Sequence, residues 1–163
     1  MAGKVKKILG IDPGFHRMGY GVIESIGSKI KMIDYGSTET SKTKSIGERI
    51  LEISCVLREI IKKHQPDSLI LEELFFFKNL KTAINVAQAR GAIILVAEEC
   101  CLPVVELTPL QVKQSVTGFG RAEKGQIQKM VKTLLNLKEI PKPDDAADAL
   151  AIAIAGSSWV KYE

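Results

Sequence analysis

The sequence predicts an α/β fold with a sheet of mixed strand direction and helices on both of its faces. Three strand-like segments follow one another at the N-terminus, and Gly27-Ser28 between the second and third is a hairpin signal. After them, amphipathic helices alternate with short apolar strands. Strands joined by a hairpin are antiparallel, whereas strands joined through a helix are usually parallel, so the two patterns together predict a mixed sheet.

Five strands are predicted. The first is apolar and ends at Asp12, where Pro13 and Gly14 turn the chain and leave room for a ligand beside the carboxylate. A turn-initiating aspartate is the simpler explanation of this Asp-Pro-Gly sequence when it is taken alone. The other predicted strands are residues 18–26, 29–37, 68–71 and 103–107.

The first two helices are long. One spans roughly residues 43–64, because apolar side chains recur there at helical spacing: Ile46, Ile50, Ile53, Leu57, Ile60 and Ile61. The other spans about residues 79–101 and carries Ala83, Ala87 and Gly91 at four-residue steps. Such a stripe of small residues permits close packing, either within the subunit or at a subunit interface.

Three further helices complete the chain. Thr108 as N-cap and Pro109 in the first turn begin one of them. The next spans about residues 123–137, and the last runs from Asp144-Asp145 to about Ser157.

Length and composition restrict the function classes. With 163 residues, we expect one domain over residues 1–163. The chain is 45% hydrophobic and 26% charged, as in ordinary globular proteins. We found no apolar run of membrane-span length and no signal-peptide core, so we expect a cytoplasmic protein without a membrane partner. The net charge of +4 is compatible with a polyanionic partner but does not establish one.

Cysteine and histidine are too sparse for several kinds of site. The three cysteines lack metal-type spacing, and the two histidines offer little for a zinc site or a histidine-based nucleophilic triad.

Carboxylates are the candidate functional groups. Glu72 ends the fourth strand as Asp12 ends the first, so they meet at one rim if those strands are neighbours. Asp148 shares a helix face with Asp145 and also with Asp144, and spacing alone does not choose between the two pairs. Glu73 and Asp144 also have simpler explanations, as a solvated charge and as a residue that caps a helix start.

Several carboxylates without histidine suit Mg²⁺ or Mn²⁺ rather than zinc. Two such ions about 3.5–4 Å apart would activate a water and stabilise the leaving oxygen of a phosphodiester. Because crowded carboxylates repel each other, the site should be costly to the fold without metal.

The motifs together closely resemble the RuvC family of Holliday-junction resolvases, in the right order over nearly the whole chain. They are Gly10-Ile11-Asp12-Pro13-Gly14, Gly19-Tyr20-Gly21-Val22-Ile23, Leu71-Glu72-Glu73-Leu74-Phe75-Phe76-Phe77-Lys78-Asn79, Gln88-Ala89-Arg90-Gly91, Gln111-Val112-Lys113-Gln114, Ala122-Glu123-Lys124 and the run from Asp145 to Ala153. The resemblance implies a ribonuclease H-like fold: a five-stranded mixed sheet whose first three strands are antiparallel, with flanking helices. It also implies an Mg²⁺-dependent endodeoxyribonuclease of DNA recombination and repair.

The same resemblance assigns residues to roles. It implies that Asp12, Glu72, Asp145 and Asp148 hold Mg²⁺, thereby selecting Glu72 over Glu73 and Asp145 over Asp144. It implies that Lys113 and Lys124 contact DNA phosphates and that Phe75 stacks on an unpaired base near the junction centre. Arg90 and Arg121 are further DNA-binding candidates. Solvated lysines and a half-buried loop aromatic are the simpler alternatives.

A Holliday junction needs two symmetric cuts, so we expect a homodimer with the helix of Ala83, Ala87 and Gly91 at its interface. The resemblance also implies a branch-migration helicase complex as a partner. The alternatives are another ribonuclease H-like nuclease, acting on RNA–DNA hybrids or other branched DNA, and a protein that binds junctions without cutting them. The sequence departs from the family at Met18, where threonine is usual, and in the filling of the loop Phe15-His16-Arg17.

Overall fold

The computed structural model describes residues 4–74 and 79–160. Within these ranges five strands and five helices follow one another: β1 (Lys6–Asp12), β2 (Arg17–Ile26), β3 (Lys29–Glu39), α1 (Ile46–His64), β4 (Ser68–Glu72), α2 (Leu80–Glu99), β5 (Val104–Leu107), α3 (Pro109–Thr117), α4 (Lys124–Leu134) and α5 (Asp144–Ser157). Each of them corresponds to a segment that the sequence predicts.

The strands form one sheet in the order β3-β2-β1-β4-β5. β1 pairs antiparallel with β2, and β2 antiparallel with β3, whereas β4 runs parallel to both β1 and β5. This confirms the predicted mixed sheet with three antiparallel strands first. Ile11 of β1 pairs with Leu71 of β4, so the residues that follow them, Asp12 and Glu72, reach the same edge of the sheet.

Helices cover both faces of the sheet, as predicted. α1 and α2 pack on one face, where Ile53, Leu57 and Ile93 join Leu9 and Leu69 in a buried apolar cluster. α3, α4 and α5 pack on the other face, where a second cluster is built from Val112, Val131 and Leu150 with Ile8 and Ile70 of the strands. Alternate residues of β1 and β4 thus enter different clusters, as the two-residue period of a strand requires.

α5 lies unusually close to β1 and β2 because glycine faces it at three places. A Cβ atom at Gly10 would overlap the carbonyl oxygen of Ala149, and one at Gly19 would overlap the carbonyl oxygen of Asp145. At Gly21 it would crowd the backbone of Leu150. The glycines therefore bring the first turn of α5 down onto the sheet edge where β1 ends.

Side chains fix the helix starts. Ser45 and Glu48 form a capping box at α1, which therefore begins at Ile46 rather than near residue 43. Thr108 and Gln111 form another at α3, with Pro109 in the first turn as predicted. The apolar pattern of α1 predicts that Ile46 is buried, and this is wrong, since Ile46 is 48% exposed. Arg49 of the same helix is buried instead.

α2 alone among the described helices is long and apolar enough, by length and composition, to cross a membrane. The helix is not an uninterrupted apolar run, because Lys81 and Arg90 lie within it. A single such helix is weak support for a membrane span, because the packed helix of a globular protein passes the same test.

Candidate active site

Three of the predicted carboxylates line one cleft. Asp12 and Glu72 reach it from the ends of β1 and β4, and Asp148 reaches it from the second turn of α5. Lys113 of α3 and Lys124 of α4 line the same cleft, whose volume is about 300 Å³. The remaining wall is largely apolar and comes from α3, α4 and α5: Pro109, Val112, Ile127, Ala151 and Ile152.

The fourth carboxylate, Asp145, lies beside this group in the first turn of α5. Its backbone contacts Gly19, which pairs with Asp12 across β1 and β2. Its charge raises the pKa of both Asp12 and Asp148, so it is within electrostatic reach of the cleft. Its Oδ2 accepts a hydrogen bond of 3.4 Å from Arg17 Nη1.

The carboxylates repel one another when ionised. Burial, and then the charges of Asp148, Glu72 and Asp145, raise the pKa of Asp12 to about 7, although Lys124 lowers it in part. Burial also raises the pKa of Glu72 and of Asp148. The charge of Asp148 adds to the rise in pKa at Glu72, and the charges of Asp145 and Asp144 add to the rise at Asp148. A bound cation would relieve this repulsion.

Lysines supply the positive charge in the cleft. Lys124 Nζ lies 3.1 Å from Asp148 Oδ2 and 3.3 Å from Asp144 Oδ2. Burial alone would lower the pKa of Lys124, but these two carboxylates raise it above its ordinary value. Lys113 in turn offsets part of the rise in the pKa of Glu72.

The donor set fits a hard divalent cation, since oxygen ligands suit Mg²⁺ or Mn²⁺. No three acidic, histidine or cysteine side chains among the described residues are already arranged as a metal site. Asp148 is paired with Lys124, and Asp145 with Arg17.

The two rival carboxylates lie apart from this cleft lining. Glu73 is exposed, and its backbone N–H donates to Leu107 O at 2.8 Å. Asp144 is exposed in the first turn of α5 and contacts Lys124 and Gln128, while Pro143 holds the N-cap position.

The remaining DNA-binding candidates are placed differently from each other. Arg121 is exposed in the loop between α3 and α4. Arg90 is only 11% exposed, and its guanidinium donates to Glu72 O and pairs with Glu106. Both terminal nitrogens of Arg90 are engaged within the protein, and its contact with DNA stays a prediction. Phe75 lies outside the described residues.

Sequence reasoning missed two arginines near the site. Arg17 lies 3.4 Å from both Glu39 and Asp145 and is a third cation at the rim. Arg49 is 5% exposed and holds the loop after Asp12: its Nε donates to Thr40 Oγ1 at 3.0 Å, and its guanidinium lies 3.9 Å from the ring centre of Phe15. The sequence signal that could have identified Arg49 as a buried residue is its position on the apolar side of α1, four residues before the buried Ile53.

Comparison with known proteins gives one consistent family. The profile of the family described as Crossover junction endodeoxyribonuclease RuvC matches residues 8–156. A protein of that description from Caldicellulosiruptor saccharolyticus is 56% identical, with 96% of this chain and 97% of the relative covered. Another from Petrotoga mobilis is 54% identical, with 93% of each chain covered.

Solved structures agree with the sequence relatives. Thermus thermophilus RuvC in complex with a Holliday junction substrate has a TM-score of 0.89 and 34% identity, with 94% of each chain covered. The yeast mitochondrial Holliday junction resolvase Ydc2 has a TM-score of 0.68 at 16% identity, with 93% of this chain and 78% of Ydc2 covered, which is a likeness of fold alone. These likenesses confirm the predicted ribonuclease H-like fold.

Proposed function

Because this chain belongs to the RuvC family of crossover junction endodeoxyribonucleases, we propose that it resolves Holliday junctions by paired, symmetric nicks in four-way DNA. The observation that carries the proposal is the cleft in which Asp12, Glu72 and Asp148 meet Lys113 and Lys124. An acidic group for metal beside cations for phosphate is what phosphodiester cleavage requires. One sheet covered on both faces supports a single nuclease domain over residues 1–163.

The proposed ligands of the metal are Asp12, Glu72, Asp145 and Asp148. When bound, Mg²⁺ (or Mn²⁺ in its place), with two ions in each site, supplies an activated water and stabilises charge on the leaving oxygen. The protein contributes stiff supports, since two ligands end neighbouring strands and the other two belong to one helix. Burial and then the repulsion of the other carboxylates raise the pKa of Asp12, and bound divalent cations would relieve that repulsion.

Lys113 and Lys124 are the proposed phosphate contacts. Both line the cleft, and the side chain of Lys124 is 53% exposed. Arg121, exposed on the loop that leads into α4, would extend this basic surface. Phe75 follows Glu72 by three residues, and we propose that it stacks on an unpaired base beside the scissile strand.

A homodimer would provide the two active sites that paired nicks need. The support is an exposed apolar face on α2, with members three or four residues apart: Leu80, Ile84, Ala87, Gly91 and Leu95. Ala83 is partly buried beside it. We further propose a cytoplasmic protein that works with a branch-migration helicase, as the family resemblance implies.

The test is cleavage of a labelled synthetic four-way junction, with and without Mg²⁺, beside a linear duplex of the same sequence and an RNA–DNA hybrid. We expect symmetric nicks in the junction only, and only with metal. Preferential cutting of the hybrid would replace the resolvase with another ribonuclease H-like nuclease. Junction binding without nicking in either Mg²⁺ or Mn²⁺ would replace it with a junction-binding protein.

A further inference from the structure

Arg90 joins α2 to the ends of two strands beside the cleft. One of its terminal nitrogens donates to the backbone oxygen of Glu72, the last residue of β4, and the other donates to Oε1 of Glu106 on β5. These strands are neighbours in the sheet, since Leu71 pairs with Glu106. A guanidinium is a rigid planar fork, so two such acceptors fix the position of both strands relative to the helix.

The burial of Arg90 shows that these contacts are not incidental. Its side chain is 11% exposed, and a cation removed from water needs acceptors and a counter-charge. The carbonyl of Glu72 supplies an acceptor, and Glu106, which is 43% exposed, supplies the charge. The guanidinium is therefore held on the protein side of the sheet edge rather than offered to a ligand.

The backbone that Arg90 holds is the one that carries a cleft carboxylate. The Glu72 side chain lines the cleft, and the N–H of the same peptide, on Glu73, donates to Leu107 O at 2.8 Å, so Arg90 and β5 hold opposite sides of this one peptide. β4 has five residues and pairs with β1 and β5, and Glu72 is its last residue, paired with Leu107. Loss of the Arg90 contact would leave this peptide held only through its N–H, free to tilt and to redirect the Glu72 carboxylate.

We propose that Arg90 is a positioning residue that sets the Glu72 carboxylate and ties it to α2. The same turn of the helix exposes Ala87 and Gly91, so pairing of this face with a second subunit would act on the turn that holds Glu72. The proposal rests on the proposed function where junction nicking is the readout, and it is independent of that function where metal binding is the readout.

The test compares three variants with a matched control. Arg90→Gln removes the cation, Arg90→Lys keeps it but removes the fork, and Glu106→Gln leaves the arginine without its counter-charge. Arg58→Gln is the control. Like Arg90, Arg58 forms an ion pair between two elements, here α1 and α2 through Glu99 at 2.7 Å, but it does not line the cleft. For each variant, the measurements are the nicking rate at saturating protein, metal-free junction affinity, Mn²⁺ affinity by calorimetry on the protein alone, and Tm.

We expect Arg90→Gln to nick the junction at least about tenfold more slowly, because small displacements of a catalytic group are costly. Its Mn²⁺ affinity should fall, while junction affinity without metal stays near that of the wild-type protein. Arg90→Lys should recover part of the rate, since an ammonium reaches one acceptor, and Arg58→Gln should match wild type.

Two results would overturn the proposal. A loss of junction affinity in proportion to nicking, with Mn²⁺ affinity unchanged, would make Arg90 a DNA contact. Wild-type nicking and metal affinity in Arg90→Gln would leave it no role at the site. If Arg90→Gln does not fold, Glu106→Gln decides by the same measurements. If the wild-type protein does not nick junctions, the proposed function fails, while Mn²⁺ affinity still tests the role of Arg90.

Discussion

Asp12 links the stability of the fold to the chemistry of the site. With its pKa raised to about 7 from the ordinary 3.8, the folded, metal-free protein keeps this proton at pH values where the unfolded chain has released it. A state that binds more protons is favoured at low pH, so the free energy of unfolding should fall as pH rises between these two values. Above about pH 7 the loss should be complete.

Asp12→Asn should remove this dependence. We expect the metal-free variant to have a Tm several degrees above wild type at pH 8, since each unit of pKa corresponds to about 1.4 kcal/mol. At pH 5 the difference should shrink, because wild-type Asp12 is then mostly protonated. The measurement is thermal unfolding in a chelator at both pH values.

The same variant should lose nicking while junction binding persists, because a neutral amide does not replace a carboxylate ligand. Glu73→Gln is its control, since this exposed carboxylate lies outside the cleft lining. A variant that loses folding and binding together would show that Asp12 has a structural role instead.

At the scale of single residues, the sequence predicts the carboxylates of the cleft better than it predicts the side chains that hold the surrounding backbone in place. Asp12 and Glu72 could be found because a strand end is a local feature. Arg49 and Arg90 could not be assigned from spacing, because their partners are distant in the sequence. Arg49 contacts His16 and Phe15, which lie 33 and 34 positions away. Arg90 contacts Glu106 and Glu72, which lie 16 and 18 positions away. Such contacts depend on how helices pack on the sheet.

Among the elements, α5 depends on glycine for its place. Its first turn, with Asp145, lies against Gly19, where a methyl group would overlap the Asp145 carbonyl oxygen. Because backbone does not yield as a flexible side chain does, the helix would have to move away from the strand. Asp145 and Asp148 would move with it.

Gly19→Ala should therefore impair both stability and nicking. We expect a lower Tm and at least about a tenfold slower nicking rate, as small misplacements at a reacting centre can cost more than that. Gly47→Ala is the control, because a Cβ there meets no atom within 4 Å and alanine favours a helix. Wild-type nicking by Gly19→Ala would show that the position of α5 is not decisive.

The type of each element could be predicted because periodicity and capping residues are local features of the sequence. The exact residue at which an element ends was harder to predict. α5 begins and ends where the sequence indicates, at Asp144 and Ser157. α4 ends at Leu134 rather than near residue 137, and Asn136 takes a positive φ of 51° just beyond it. The apolar residues of this segment continue past the helix into the second core cluster, so their spacing alone overestimates its length.

At the scale of the whole molecule, α2 has one side buried in the core and one exposed apolar side. The buried side of this helix packs against the core through Ala89, Ile93, Val96 and Ala97. The opposite side exposes Leu80 at 78%, Ile84 at 57% and Leu95 at 59%. Contiguous apolar side chains on one face favour association, and a two-fold partner would match the symmetry of a four-way junction.

Ile84→Glu tests the proposed dimer because it places a charge at the middle of the apolar face. We expect a monomer by analytical ultracentrifugation, with a Tm close to wild type where the subunit folds independently. Paired nicks should give way to single, uncoordinated nicks in a supercoiled substrate that carries a junction. Ile26→Glu is the control, since Ile26 is 42% exposed at the hairpin, at the end of β2 remote from Asp12. An Ile84→Glu protein that remains dimeric and still cuts in pairs would place the subunit contact elsewhere on the surface.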